Sequence, residues 1–508
     1  MKQRITYLVP EADDFHPDLL SVRDASLSVR NLKAAKEHRI TVGLSELPEK
    51  LRNVLGEWRE LHIRWVSETP YDAPPPFTSR VSPGLHVFFT PEEKGLKAPL
   101  CPLLRQTFGH ELKCNSTVTA FTKAPILSKR FSHSPSLQYH SHLPSITHLI
   151  RYIQDKLCPP SSSSCKNGAS SLDSTSYTDI DYDTISHALT LNAFFPSAPD
   201  PSIGWTETIS LPSTSSTIEI GILNHEPNPD PEDIAFAGFL TVLGKDTKPV
   251  PTRFQTITRH YPLSTQTTYK AHFQQPTGLH PTLQLTLTPP LTPPAQSCKL
   301  HTYLTLPSHL FLDPYSFRDP LFLASHNLTA LHSLAGNTDL EAPDWVVSEW
   351  GSAALLELAI PPSTTSASSE TGKEDDMTVT VPLHLRYLPA ANRAHTSVPL
   401  PWPVVFWACR SEEGAAKMAT NPFDRRVLGY EGLFGERTRF VHVPPAGGKV
   451  LVEWVDVPVL DLRKAGWVEM GTVGVVVAAF LVICWVLLFG GRRGGDQKKE
   501  VKSGKKKQ

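Results

Sequence analysis

The chain has 508 residues, 49 Lys plus Arg against 50 Asp plus Glu, and a net charge of −1. It has no basic stripe, which argues against a nucleic-acid partner. Its length points to two or three domains, and its 47 prolines, clustered with Ser and Thr, point to several breaks between them.

Near the N-terminus, Glu11, Asp13 and Asp14 follow closely on the first basic residues. No apolar run of the signal-peptide kind intervenes, so a cleavable signal peptide is not expected. The first helix expected is Leu47 to Arg59, with Pro48 in its first turn; Pro70 to Pro76 then ends regular structure. Asn115-Ser116-Thr117 is a glycosylation sequon, and Asn327-Leu328-Thr329 is a second. His133, His140, His142 and His148 crowd one stretch, but their spacings match no standard zinc pattern. Solvated or packing histidines are the simpler reading.

Pro159 to Ser176 is a Ser-rich break. Beyond it, Asp179-Ile180-Asp181-Tyr182-Asp183 has the Asp-x-Asp spacing with which many glycosyltransferases hold a divalent metal and a nucleotide sugar. An acidic loop beside a linker explains the same residues more simply. Pro196 to Thr217 and Thr288 to Ala295 are further Pro-rich breaks, and Pro361 to Asp376 reads as a disordered surface loop. Between the breaks the dominant period is two. Leu283, Leu285 and Leu287 alternate with polar residues, as do Ala354, Leu356, Leu358 and Ile360, and Val379, Val381, Leu383, Leu385 and Tyr387. Leu451, Val455, Val457 and Val459 share one face of a final extended run. These alternations predict half-buried strands, with Pro382 confining its strand to an edge or a bulge. The fold class expected is therefore mainly β: antiparallel sandwich-like domains joined by Pro/Ser-rich linkers.

Residues 470 to 491 carry no charge. At about 1.5 Å per residue they span roughly 30 Å, the thickness of a bilayer's hydrocarbon core. The tail from Arg492 to Gln508 holds eight basic and two acidic residues. Positive charge beside a span stays cytosolic, which predicts a cytosolic tail and a body across the membrane. A tail-anchored protein with a cytosolic body is the alternative. Six cysteines, Cys101, Cys114, Cys158, Cys165, Cys298 and Cys409, lie on the body's side, where disulfides form; six allow 15 pairings. Cys484 lies in the span. Gly471, Gly474 and Ala478 fall on one face of the span, as in close helix packing. Lys505 and Lys506 stand fourth and third from the C-terminus, as in a di-lysine endoplasmic-reticulum retrieval signal; a polybasic tail attracted to anionic lipid is the other reading. The chain contains no Gly-x-Ser-x-Gly, His-Glu-x-x-His, Walker or Gly-x-Gly-x-x-Gly motif.

One set of blocks resembles the PIG-X family in its longer fungal form. His280-Pro281-Thr282-Leu283 opens the set. Tyr303-Leu304-Thr305-Leu306-Pro307 and Phe311-Leu312-Asp313-Pro314-Tyr315 follow, then Asp339-Leu340-Glu341-Ala342-Pro343 and Trp350-Gly351-Ser352. Val381 to Tyr387 and Pro401 to Cys409 close it, ahead of the single span. Arg4 to Tyr7 and Leu61 to Trp65 match the fungal branch alone. The resemblance implies a non-catalytic subunit of the endoplasmic-reticulum mannosyltransferase that adds the first mannose to glycosylphosphatidylinositol (GPI) precursors. It also implies a multispan catalytic partner, the membrane as surroundings, and no cofactor or metal. On that reading Cys298 and Cys409 pair, and His384, Arg386 and Trp407 are candidates to face the partner. The domains expected are residues 1–157, a linker at 158–178, a mostly β segment at 179–287, the PIG-X-like sandwich at 280–410, a membrane-proximal segment at 411–469, the span and the tail. A general lumenal chaperone, and an enzyme built on Asp179, Asp181 and Asp183, remain as alternatives.

Overall fold

A computed structural model describes residues 1–10, 20–23, 25–91, 99–123, 137–211, 216–228, 233–360, 376–411, 428–435 and 437–489. The expected loop at 361–376 (all but its last residue), His133, Lys505 and Lys506 lie outside these.

Among the described residues, eleven strands form one sheet. In chain order they are β1 (Lys2–Val9), β2 (Ala35–Gly43), β3 (Trp58–Val66), β4 (Gly84–Pro91), β5 (Thr122–Lys123), β6 (Leu137–Ser141), β7 (Tyr177–Asp183), β8 (Ala188–Phe195), β9 (Thr217–Glu226), β10 (Asp233–Val242) and β11 (Val250–Ile257). Their spatial order is β11-β10-β9-β1-β2-β8-β7-β3-β4-β6-β5. β1 runs parallel to β9 and antiparallel to β2, so the sheet is mixed where an antiparallel one was expected. It also draws strands from both 1–157 and 179–287. The expected boundary between those segments falls inside one layer and does not separate two domains. The Ser-rich stretch between them is not a plain linker either: it holds a short helix, Ser163–Ser170, tied by a Cys158–Cys165 disulfide.

The central strands obey the period of two strictly. Ile40 and Val42, Leu61 and Ile63, and Leu189 and Leu191 point to one face. Helices α1 (Glu49–Leu55), α2 (Leu100–Phe108) and α3 (Thr147–Tyr152) cover that face with Leu51, Leu104 and Leu149. The expected first helix is real but short. Trp58 is fully buried and opens β3, so Gly56 ends the helix.

Among the described residues, the C-terminal region forms two larger sheets, beside two small ones of two strands each. β12 (His260–Pro262), β13 (Tyr269–Phe273), β14 (Thr282–Leu287), β15 (Lys299–Leu306), β16 (Leu328–Gly336), β17 (Ser352–Leu358), β18 (Met377–Pro382), β19 (Val404–Arg410) and β20 (Thr438–His442) supply the larger two. One sheet has the order β12-β20-β19-β15-β17-β16, the other β13-β14-β18. β18 is an edge strand with Pro382 at its last position, as the sequence predicts. β17 departs from the expected half-burial. It lies inside its sheet, and all seven residues are buried. Tyr303, Leu355, Phe406 and Phe440 belong to the same apolar core as Ile5, Tyr7 and Phe89. One face of the six-stranded sheet thus packs into the core of the eleven-stranded one.

Leu388–Thr396 and the chain from Asp456 onward make a separate small unit. Within it, Leu462 N donates to Ala391 O at 2.9 Å, and Asp461 pairs with Arg463 at 2.8 Å. The chain then enters α4 (Ala465–Phe489), a 25-residue helix about 37 Å long with no buried residue. The most apolar 18 residues within Leu462–Phe489 have a mean hydropathy of 2.8, enough to span a membrane.

Candidate functional site

The face of the eleven-stranded sheet away from the helices is polar. Alternation puts Arg39 and Thr41 of β2, His62 and Arg64 of β3, Asp179, Asp181 and Asp183 of β7, and Thr190 and Asn192 of β8 together. Leu428, Glu431 and His260 line the other side, enclosing a cavity of about 190 Å³.

The Asp-x-Asp residues lie on this face, but they are already engaged. Asp179 accepts two bonds from Arg64, Nε to Oδ1 at 2.6 Å and Nη2 to Oδ2 at 2.7 Å. Asp181 Oδ1 lies 2.5 Å from His62 Nδ1. Asp183 caps the β7–β8 turn, accepting from Ile185 N at 2.9 Å and Ser186 N at 2.7 Å. The acidic-loop reading and the glycosyltransferase reading both give way to strand residues whose carboxylates are held by Arg64, by His62 and by the N–H groups of a turn. A buried carboxylate is stable only with such partners.

Opposite them, Glu431 lies 3.2 Å from His260 Nε2 and 3.5 Å from Arg259 Nη1. His260 Nδ1 lies 2.9 Å from His442 Nε2. Burial raises the Glu431 pKa, but His260 and Arg259 more than reverse this and hold it below the ordinary carboxylate value. Burial, with the charges of His260 and Arg80, drives His442 well below 6.5. The relay has the form of a hydrolase's acid–histidine pair, with a second imidazole, His442, where a nucleophile would stand. The one free cysteine among the described residues, Cys484, lies in the span.

The remaining predicted residues are dispersed. His140 bonds Pro83 O, His142 bonds Glu68 and His148 faces Glu111, so the described members of that histidine group do not converge. Asn115 and Asn327 are both exposed. Disulfides join Cys101 to Cys114 and Cys298 to Cys409, the latter from the start of β15 to β19. His384 is half-buried, with Nδ1 3.0 Å from His280 Nδ1. Arg386 and Trp407 are corrected as partner-facing residues, because they are only 3% and 1% exposed. Trp407 sits between Leu300 and Val441 in the covered strand β19. Arg386 donates to the backbone carbonyls of Ser308, Asn337, Asp339 and Ala342 and stacks on Phe311 at 4.1 Å. It ties the Asp339–Ala342 block to the sheet. Gly471, Gly474 and Ala478 are exposed on α4.

One cluster has no signature in the sequence. His301, His332 and Glu357 come from three neighbouring strands, with potential ligand atoms within 4.8 Å of one another. Spacings of 31 and 25 residues form no motif, and only the strand register unites them.

A large β body followed by one long apolar helix, the one such helix among the described residues, has the form of a single-pass membrane protein. The model of the family described as PIG-X / PBN1 matches residues 276–488. A relative from Emericella nidulans called Protein pbn1 is 45% identical over 520 residues, covering 97% of each chain. One of the same name from Aspergillus oryzae is 44% identical over 532 residues, covering 96% of each. Protein PBN1 of Saccharomyces cerevisiae is 29% identical over 236 residues, covering 46% of this chain and 47% of its own. The chain belongs to the PIG-X / PBN1 family. As such it is a non-catalytic subunit of the endoplasmic-reticulum mannosyltransferase of GPI-anchor biosynthesis, and it associates with the catalytic subunit in the membrane.

Proposed function

We propose that the body of this protein lies in the lumen with its tail in the cytosol. From there it stabilises a multispan catalytic subunit by binding the folded form and not the unfolded one. A partner that binds only the native state raises its stability by mass action, about 2.7 kcal/mol when present at a hundredfold over Kd. The single supporting observation is α4. It buries no residue, and Gly471, Gly474 and Ala478 give it one flat side against which a second helix packs closely. The lumenal placement is supported by three disulfides, all on the N-terminal side of the span. Glycans on Asn115 and Asn327 fit the same side, and Lys505 and Lys506 fit retrieval from the cytosolic side. The region 280–410, with His384 at its surface, is the part of the body that meets lumenal loops of the partner.

The test is depletion of the protein in cells. The level of the catalytic subunit and of the unmannosylated glucosaminyl lipid precursor is then measured, and a form carrying Gly474→Leu and Ala478→Leu is added back. Loss of the catalytic subunit, accumulation of the precursor and failure of the variant to restore either support the reading. An unchanged catalytic subunit with misfolding of unrelated lumenal proteins replaces it with a general chaperone. Glycosidase sensitivity of Asn115→Gln and Asn327→Gln variants reports the topology independently.

A further inference from the structure

The cluster of His301, His332 and Glu357 lies at the β15-β17-β16 end of the six-stranded sheet. We propose that these three side chains form a zinc site with a fourth position open to solvent.

The register builds it. His301 of β15 stands directly opposite Glu357 of β17, so both side chains leave the same face as neighbours. β16 is the sheet's edge strand. There the pairing shifts between Leu331 and Ser333, so that His332 is the extra residue of a bulge. A bulge re-aims a side chain that a regular ladder would place elsewhere. Here it puts His332 Nε2 2.7 Å from Glu357 Oε2.

The second observation is the orientation of His301. Its Nδ1 lies 2.9 Å from the carbonyl oxygen of Lys299, so Nδ1 carries the proton and Nε2 keeps its lone pair. Metal-bound histidines have this arrangement, because a backbone acceptor on one nitrogen fixes the ring and raises the basicity of the other. Phe406, stacked at 5.9 Å, and Phe434, edge-on at 5.2 Å, wall the ring in. His301 and Glu357 are buried, while His332 is exposed on the solvent side.

Two imidazoles and one carboxylate form a donor set that zinc uses when it keeps an open position. Ligand atoms about 2.0–2.2 Å from the ion stand roughly 3.3–3.5 Å apart. The atoms within 4.8 Å here close onto zinc by rotation of His332, whose side chain is 40% exposed. Glu357 has one competing cation: Lys299 Nζ lies 3.0 Å from Oε1 and 3.3 Å from Oε2. Lys299 is 64% exposed and moves aside with little loss. The ion replaces the His332–Glu357 hydrogen bond, with the Nε2 proton passing to Nδ1 of the same ring or to solvent, and clasps the edge strand to the two strands beside it.

The experiment uses the full chain without a histidine tag, purified in detergent and stripped with chelator. It is dialysed against Zn²⁺ and the bound metal is counted. One Zn²⁺ per chain is expected, bound at least tenfold more weakly by His332→Ala. That residue sits exposed on an edge bulge, so its removal leaves the metal-free melting temperature unchanged. Glu357→Gln is expected to abolish binding, and Lys299→Ala to tighten it several-fold by removing the competing ammonium. Co²⁺ in place of Zn²⁺ is expected to show the visible bands of a four- or five-coordinate N/O site in the wild type and not in His332→Ala. Binding below one ion per chain, or binding that His332→Ala leaves intact, overturns the proposal. A purely hydrogen-bonded cluster predicts no bound ion in the wild type or in Lys299→Ala.

Discussion

Arg64 and Asp179 face each other from neighbouring strands, joined by two parallel hydrogen bonds of 2.6 and 2.7 Å and both buried. The geometry is the bidentate one that a guanidinium makes with a carboxylate. Their separation of 115 residues makes the pair a lock on the fold. Asp179→Asn leaves Arg64 buried without its counter-charge, and the expected cost is about 3–5 kcal/mol. Asp183→Asn loosens only a turn, at about 1 kcal/mol. Chemical denaturation of the purified protein separates the two. A metal held jointly by the aspartates predicts comparable effects instead.

The disulfides differ in the loops they close. Cys298–Cys409 spans 111 residues, and Cys101–Cys114 spans 13. In the chain-entropy account the first contributes about 4.7 kcal/mol and the second about 3 kcal/mol. Replacing both Cys298 and Cys409 by Ser is therefore expected to lower the melting temperature more than the same change at Cys101 and Cys114. Thermal unfolding under non-reducing conditions checks the order.

Several histidines are buried in the neutral form. Burial lowers His140 and His301 to about 4, and His86 and His442 fall well below 6.5 for the same first reason. When unfolded, each takes up a proton below about pH 6.5. The unfolded chain then binds more protons than the native one, so stability falls as pH falls, by about 1.4 kcal/mol per unit for each such residue. Glu431 acts outside this window, because its lowered pKa keeps its contribution until the pH drops below the usual carboxylate range. Melting temperatures are expected to be level from pH 7 to 8 and to drop steeply between pH 6.5 and 5.

Gly351 explains one of the sequence blocks. A Cβ at this position would collide with the backbone of Leu306 and Pro307, where the chain crosses the end of β15 closely. Gly351→Ala is expected to displace the start of β17 and lower the amount of folded protein. Ala353→Gly, two residues on, is expected to cost roughly 1 kcal/mol. Steady-state levels and limited proteolysis of the two variants distinguish them.

What the sequence revealed was local. Leu283, Leu285, Leu287, Val379 and Val381 alternate, and they are the buried face of β14 and β18. The span is legible because twenty-odd apolar residues have few other uses. Asp179 and Asp181 were visible as a pattern, but Arg64 and His62, which decide their role, lie 115 and 119 residues upstream. No periodicity reports a cross-strand partner at that distance. The same limit hid the zinc cluster, and it made Arg386 look like a surface residue, because four backbone carbonyls that hold it leave no trace in composition.

The parallel pairing of β1 with β9 also sets a timetable. Val9 meets Asn224, so the first strand waits for more than two hundred residues to be made before one of its flanks is closed. At about 5–20 residues per second that interval is roughly 10–40 s. Throughout it the growing chain carries an open strand edge, which is a template for pairing with other chains. Shortened forms that end before Thr217 leave that flank of β1 open and are expected to aggregate or be degraded, however stable the finished molecule is.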